Sequence, residues 1–162
     1  MPKSKATRNN IVRIRRSTLR DIDLLISHRR KMWEDIHDFR RRDLEIGDRA
    51  YRKWLVDMIK KGRLFGFVAV ANTNRIAGSG CVWLRENQPR PGSFKPLMPY
   101  LLSMYTDPKF RRMGIASKIV KEAMKSFKSK GYRTMTLHGS RVGRKVYAKL
   151  GWERTWEMRV SL

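Results

Sequence analysis

Two periods of apolar and polar residues run along this chain, and the switches between them predict ten elements. Ile11-Val12-Arg13-Ile14-Arg15 alternates roughly apolar and basic, which predicts a short half-exposed strand. Thr18 and Asp21 have capping-box spacing. Behind them Ile22, Leu25, Ile26, Met32, Trp33 and Ile36 share a helical stripe that ends near Asp38. A charged connector, Phe39 to Gly47, leads to a second helix from Asp48, with Tyr51, Trp54, Leu55, Met58 and Ile59 inward and Gly62 as its left-handed stop. Leu64 to Ala71 and Arg75 to Leu84 form a hairpin around Asn72-Thr73-Asn74. Gly78 and Gly80 in the second strand imply a bulge or a close backbone approach. Arg85 to Pro99, with four prolines, reads as a loop. Tyr100 to Thr106 is a strand and Gly114 to Lys130 the clearest amphipathic helix. Arg133 to His138, Ser140 to Leu150 and Trp152 to Val160 read as strand, helix and strand.

This order predicts an α/β (α+β) domain with four helices and a mixed sheet. The Tyr100–His138 unit is a strand–helix–strand crossover, so its two strands run parallel. The 162 residues suit one domain, residues 11–162, behind a basic tail of residues 1–10. Hydrophobic residues make up 41%, too many for wholesale disorder. No apolar run reaches the length of a membrane span, and the N-terminus lacks the apolar core of a secretory signal, so the expected location is cytoplasmic and no membrane partner is expected. Cys81 is the single cysteine and lies inside a strand, where it reads as a buried structural thiol. No metal-ligand set is present in the sequence. The net charge of +24 fits polyanions and phosphorylated cofactors alike.

The chemistry concentrates in Ser103-Met104-Tyr105-Thr106-Asp107-Pro108-Lys109-Phe110-Arg111-Arg112-Met113-Gly114-Ile115-Ala116. A strand runs through a short loop into a long helix, whose first amides have no intrahelical acceptor. The helix dipole favours an anion there. Gly114 leaves room for a phosphate, and Arg111 and Arg112 add permanent charge. From the residues alone the arrangement reads either as a pyrophosphate cradle or as the capped start of a helix in a basic protein. It is neither a dinucleotide fingerprint, which needs three spaced glycines, nor a Walker A loop, which needs Gly-Lys-Ser/Thr.

Arg111-x-x-Gly114-x-Ala116, after a strand ending in Asp107-Pro108, resembles the Arg/Gln-x-x-Gly-x-Gly/Ala motif of the GNAT acetyltransferases. Leu137 to Ser140, with Gly143 through Tyr147 to Gly151-Trp152, resembles that family's closing strand–helix signature. The resemblance spans roughly Ile11 to the C-terminus. It implies a mostly antiparallel sheet of about six to seven strands, splayed between the fourth and fifth, with acetyl-CoA as the cofactor. Backbone groups of Met104 and Thr106 would pair with the pantetheine, and an amide near Met104 or Tyr105 would polarise the thioester carbonyl. Arg111, Arg112, Met113, Gly114, Ile115, Ala116 and Ser117 would bind the pyrophosphate, and Ser140 would sit near the pantetheine or its phosphate end; a helix cap alone is the competing reading for Ser140. Tyr147 would protonate the departing thiolate; a core tyrosine is the competing reading. Arg112 stands where the family commonly has glycine.

The implied function is an acetyl-CoA-dependent N-acetyltransferase in which a primary amine attacks the acetyl thioester directly, in a ternary complex. The attacking amine must lose a proton. Glu86, at the end of the second hairpin strand, is the first candidate base, followed by Glu34 and Asp35, with a solvated surface carboxylate the competing reading for all three; His138 ends a strand and reads as a further base or as a structural histidine. Glu34, Asp35, Asp38, Asp43, Glu45 and Asp48 form an acidic cluster that would guide a cationic acceptor or, alternatively, form a solvated connector. Two other readings stay open: a basic nucleic-acid- or ribosome-associated protein, with Lys3, Lys5 and Arg8 as a basic arm, and a non-catalytic coenzyme A-binding protein of the same fold. The acceptor and the oligomeric state, a homodimer included, are not fixed by the sequence.

Overall fold

The computed structural model describes residues 12–72 and 74–162, so the basic tail, Ile11 and Thr73 lie outside the described residues. In chain order the elements are β1 (Val12–Arg16), α1 (Ile22–Ile36), α2 (Arg41–Lys60), β2 (Leu64–Ala71), β3 (Ile76–Glu86), β4 (Leu97–Thr106), α3 (Ile115–Ser129), β5 (Thr136–Leu137) and α4 (Gly143–Lys149). The strands form one sheet in the order β1-β2-β3-β4-β5. The first three pairings are antiparallel and β4–β5 is parallel, as the crossover rule requires.

Two apolar layers hold the sheet. On one face Leu25, Ile26, Tyr51 and Leu55 of α1 and α2 pack on Leu64 and Cys81. On the other, Ile115, Ile119, Val120, Ala123 and Phe127 of α3 pack on Phe67, Ala69, Val82 and Leu101. These α3 side chains are at most 2% exposed, and burying each large one contributes ~1.5–3 kcal/mol. The periodicity of α3 thus converts directly into its docking. Among the described residues no helix is long and apolar enough to cross a membrane.

Several elements differ from the sequence-based expectation; β5 covers only Thr136–Leu137 of the expected Arg133 to His138, and α4 starts at Gly143 rather than Ser140. α2 begins at Arg41, not Asp48, because residues 41–46 continue the helix with an Arg41–Glu45 pair one turn apart. β4 begins at Leu97 and runs through Pro99. Leu84, opposite Pro99, donates its N–H to Arg63 on the β2 side. The pair is therefore not hydrogen-bonded, and the missing proline N–H opens no gap in the β3–β4 ladder. The sheet has five strands rather than six to seven. Residues 152–162 carry no strand; Trp156, Met158, Val160 and Leu162 alternate as a strand would, yet all are exposed. A period of two supplies a face but not a neighbouring edge, and two-residue β5 offers only ~7 Å of one.

Asp21 anchors the entry to α1. Its carboxylate accepts from both terminal nitrogens of Arg15, at 2.9 and 2.7 Å, and from the Thr18 N–H at 2.7 Å, completing the capping box. The Arg15 hydrogen bonds are the main cause holding its pKa down at about 2. Buried His28 on α1 is shifted down to about 4, chiefly by desolvation. Both groups bind more protons unfolded than folded, so both make stability fall with falling pH. The His28 contribution is lost between its ordinary value near 6.5 and about 4. The Asp21 contribution is lost between 3.8 and about 2. Asp21→Asn is expected to cost about 1–2 kcal/mol at neutral pH and to remove the lower window alone, as read by urea unfolding across pH.

Candidate active site

β4 and β5 pair over only two positions, Tyr100↔Thr136 and Leu101↔Leu137. Beyond them β4 continues to Thr106 while the other chain segment turns away into His138-Gly139-Ser140 and α4. The wedge between them is a cavity of about 710 Å³, within the range of small-molecule sites. One wall is β4 from Leu101 to Thr106. The opposite wall is His138, Ser140 to Gly143, Val146 and Tyr147. Its end is closed by Arg111, Arg112 and Gly114 to Ser117, and Met32, Asp35 and Ile36 of α1 border it.

A bulge shapes the β4 wall. Ser79 faces Tyr105 and Cys81 faces Leu102, so β4 carries one extra residue there, and Ser103 takes φ 53°. The glycines of β3 permit it: a Cβ on Gly78 would stand 2.5 Å from the Tyr105 carbonyl oxygen, and one on Gly80 would strike the Met104 sulfur. This is the close approach that the two glycines predicted.

The loop before α3 is built for an anion. Arg112 and Gly114 both take left-handed backbone, φ 63° and 75°, the kind of turn that gathers successive N–H groups into a concavity. The first bond of the helix runs from Lys118 N–H to the Gly114 carbonyl, and no side chain caps α3. The amides of residues 115–117 therefore stand without an intrahelical acceptor at the positive end of the dipole. Non-glycine residues cost about 1–2 kcal/mol in this conformation. Arg112→Gly is thus expected to stabilise the protein by about 1 kcal/mol while removing one cation from the cavity, with chemical denaturation as the measurement.

Arg111 is held back from the cavity centre. Its Nε donates to the Thr106 carbonyl at 3.1 Å, and its Nη2 lies 2.6 Å from Asp35 Oδ2. Among the described residues Asp35 is the single carboxylate lining the cavity, beside three arginines. Ser140 caps α4: its hydroxyl accepts from the Gly143 N–H at 3.1 Å. The Tyr147 ring packs 5.9 Å from Trp152, and burial pushes its phenol up to about 12. His138 Nδ1 lies 3.2 Å from the Tyr100 hydroxyl.

The structure brings together Met104, Tyr105, Thr106, Arg111, Arg112, Gly114, Ile115, Ala116, Ser117, Ser140 and Tyr147. Met113 is exposed outside the lining. Glu86 is not brought there either. It sits at the far end of β3, opposite Leu97, and pairs with Arg63 at 3.1 Å. Glu34 does not line the cavity. Within the acidic cluster, Glu45 is tied to Arg41 and Asp48 to Arg30. Sequence reasoning missed His28, whose ring lies 4.7 Å from Tyr105 and whose Nδ1 is 2.8 Å from Ser79 Oγ. The signal was its place on the inward stripe of α1, between Leu25 and Met32.

The group that this cavity would hold has an apolar arm and a diphosphate. Leu101, Phe110, Ile115 and Val146 suit the first; the bare amides and guanidiniums suit the second. Known proteins point the same way. The acetyltransferase (GNAT) family profile matches residues 29–152. A GCN5-related N-acetyltransferase from Ralstonia eutropha superimposes with a TM-score of 0.85 at 25% identity, over 94% of this chain and 99% of that one. A predicted acetyltransferase from Clostridium acetobutylicum, solved with acetyl-CoA, gives 0.83 at 24%, over 94% and 96%. An aminoglycoside N-acetyltransferase in complex with CoA gives 0.73 at 19%, over 96% and 97%. No curated protein matches the chain. With the profile covering most of its length and the strand divergence where the motif places it, the chain belongs to the GNAT family of acetyltransferases.

Proposed function

We propose that this protein is an acetyl-CoA-dependent N-acetyltransferase that moves the acetyl group to a primary amine by direct attack in a ternary complex. The observation that carries the reading is one cavity holding both the parted β4–β5 edge and the uncapped N-terminus of α3. The Clostridium relative, solved with acetyl-CoA, supports the same donor here. Acetyl-CoA would supply an activated thioester; the chain's own groups would do the rest.

In this reading the amides of residues 112–117, with Arg111 and Arg112, hold the pyrophosphate. Met104 and Thr106 present backbone groups to the pantetheine, and an amide at Met104 or Tyr105, offered by the bulge, polarises the acetyl carbonyl. Ser140 adds a hydroxyl beside the arm. Tyr147, protonated throughout the neutral range, donates to the leaving sulfur. Asp35 replaces Glu86 as the base of choice, because it borders the cavity and Glu86 does not. A phosphate that draws Arg111 away would also free the Asp35 carboxylate to take the ammonium proton.

The deciding experiment is a panel of amines, from amino sugars to peptides, incubated with acetyl-CoA while thiol release is followed, with calorimetric titration of coenzyme A alongside. Acceptor-dependent thiol release supports the proposal. Tight coenzyme A binding with no turnover on any amine would leave a binding protein of the same fold, and no binding at all would end the reading.

A further inference from the structure

The two faces of the sheet carry differently organised charge. All seven side-chain ion pairs among the described residues take their carboxylate from residues 21–86, and none involves α3 or α4. On one face α1 and α2 hold nine Lys or Arg residues and seven Asp or Glu residues. On the other, α3 carries Lys118, Lys121, Lys125 and Lys128, and α4 carries Arg144, Lys145 and Lys149, against Glu122 alone. Every one of these seven cations is exposed, and none lines the cavity.

The α3 lysines follow one another at three, four and three residues, which stacks them on one side of the helix ~5–6 Å apart. From Lys118 to Lys128 the row spans ~15 Å, a length over which a duplex presents about nine phosphates. Like charges at these spacings cost an isolated helix a few tenths of a kcal/mol per pair, and a bound polyanion would reverse that cost. Neither helix offers an exposed ring to stack on an unpaired base: Phe127 of α3 is buried, and Tyr147 of α4 lines the cavity. Six of the seven cations are lysines, whose ammonium groups bind phosphate as point charges, without the bidentate fork that reads base edges.

We propose that the outer face of α3 and α4 binds the phosphate backbone of duplex nucleic acid, without reading its sequence. The site stands apart from the acetyl-CoA cavity, which uses the N-terminus of α3 and not its lysine row. The test is anisotropy of a labelled 20-base-pair duplex titrated with full-length protein at several salt concentrations. Wild type is compared with Lys121→Gln/Lys125→Gln/Lys128→Gln and with Arg42→Gln/Arg49→Gln/Lys53→Gln, which removes the same charge from α2. The expected result is a salt slope shallower by about 2–3 for the α3 variant, with a clearly smaller change for the α2 variant and the same affinity for unrelated duplex sequences. Equal changes in the two variants would reduce the binding to net charge and overturn the proposal. So would release of the duplex by saturating acetyl-CoA, which would place it on the cradle. Binding of phosphatidylserine vesicles through the α3 lysines, with no duplex binding at about 50 mM salt, would also overturn it.

Discussion

Tyr147→Phe is expected to lower kcat by about 10²–10⁴-fold, the usual worth of a positioned proton donor, and to leave the KM for acetyl-CoA nearly unchanged. Negative charge develops on the sulfur of coenzyme A as the C–S bond breaks, so a proton donor beside it acts at that step. Burial raises the phenol to about 12. The donor form is therefore full at every pH well below that value, and Tyr147 itself gives no alkaline fall in rate up to about pH 10. The rate should instead rise with pH as the acceptor ammonium loses its proton. The substitution keeps the ring packed near Trp152, and the lost hydroxyl makes no hydrogen bond to another described residue. Stability should then stay within about 0.5 kcal/mol of wild type, which separates lost chemistry from lost folding. A variant with undiminished kcat in the thiol-release assay would return Tyr147 to a packing role.

The Arg111 to Ala116 motif is legible in the sequence because its physics is local. A helix start, a small residue and two cations are all adjacent in the chain, and the fold adds only the left-handed turns at Arg112 and Gly114. The partner of Arg111 is not legible: Asp35 is 76 positions away, and only the packing of α1 across β4 brings them together. That Glu86 lies outside the cavity is hidden for the same reason. Its position at the end of β3 can be read, but the end of a strand says nothing about which end of the neighbouring strand opens the cavity. His28 is hidden by its residue type, since a polar side chain on an apolar stripe looks like a lapse in the pattern. Residues 152–162 show the reverse error, in which a clear alternation finds no edge to pair with.

Gly78→Ala and Gly80→Ala test the bulge that shapes the cavity wall, and the two should fail differently. At Gly78 the new methyl meets the backbone carbonyl of Tyr105 at 2.5 Å and Thr106 Cα at 3.2 Å. Neither can step aside without breaking the β3–β4 register, so a loss of about 3 kcal/mol or more is expected, at the upper end of overpacking costs. In a domain of this size that lowers Tm by roughly 6–12 °C. At Gly80 the methyl meets the Met104 sulfur, the far end of a flexible side chain, with Ile119 Cγ2 next at 3.2 Å. Met104 can swing away, so the stability loss should be nearer about 1 kcal/mol. Met104 lines the cavity, so a displaced side chain would narrow it, and the KM for acetyl-CoA should rise severalfold. Thermal unfolding and steady-state kinetics on the pair separate the two effects. If Gly78→Ala melts with wild type, the close approach of β3 to the bulge is not rigid. If Gly80→Ala binds the donor normally, Met104 does not set the width of the cleft.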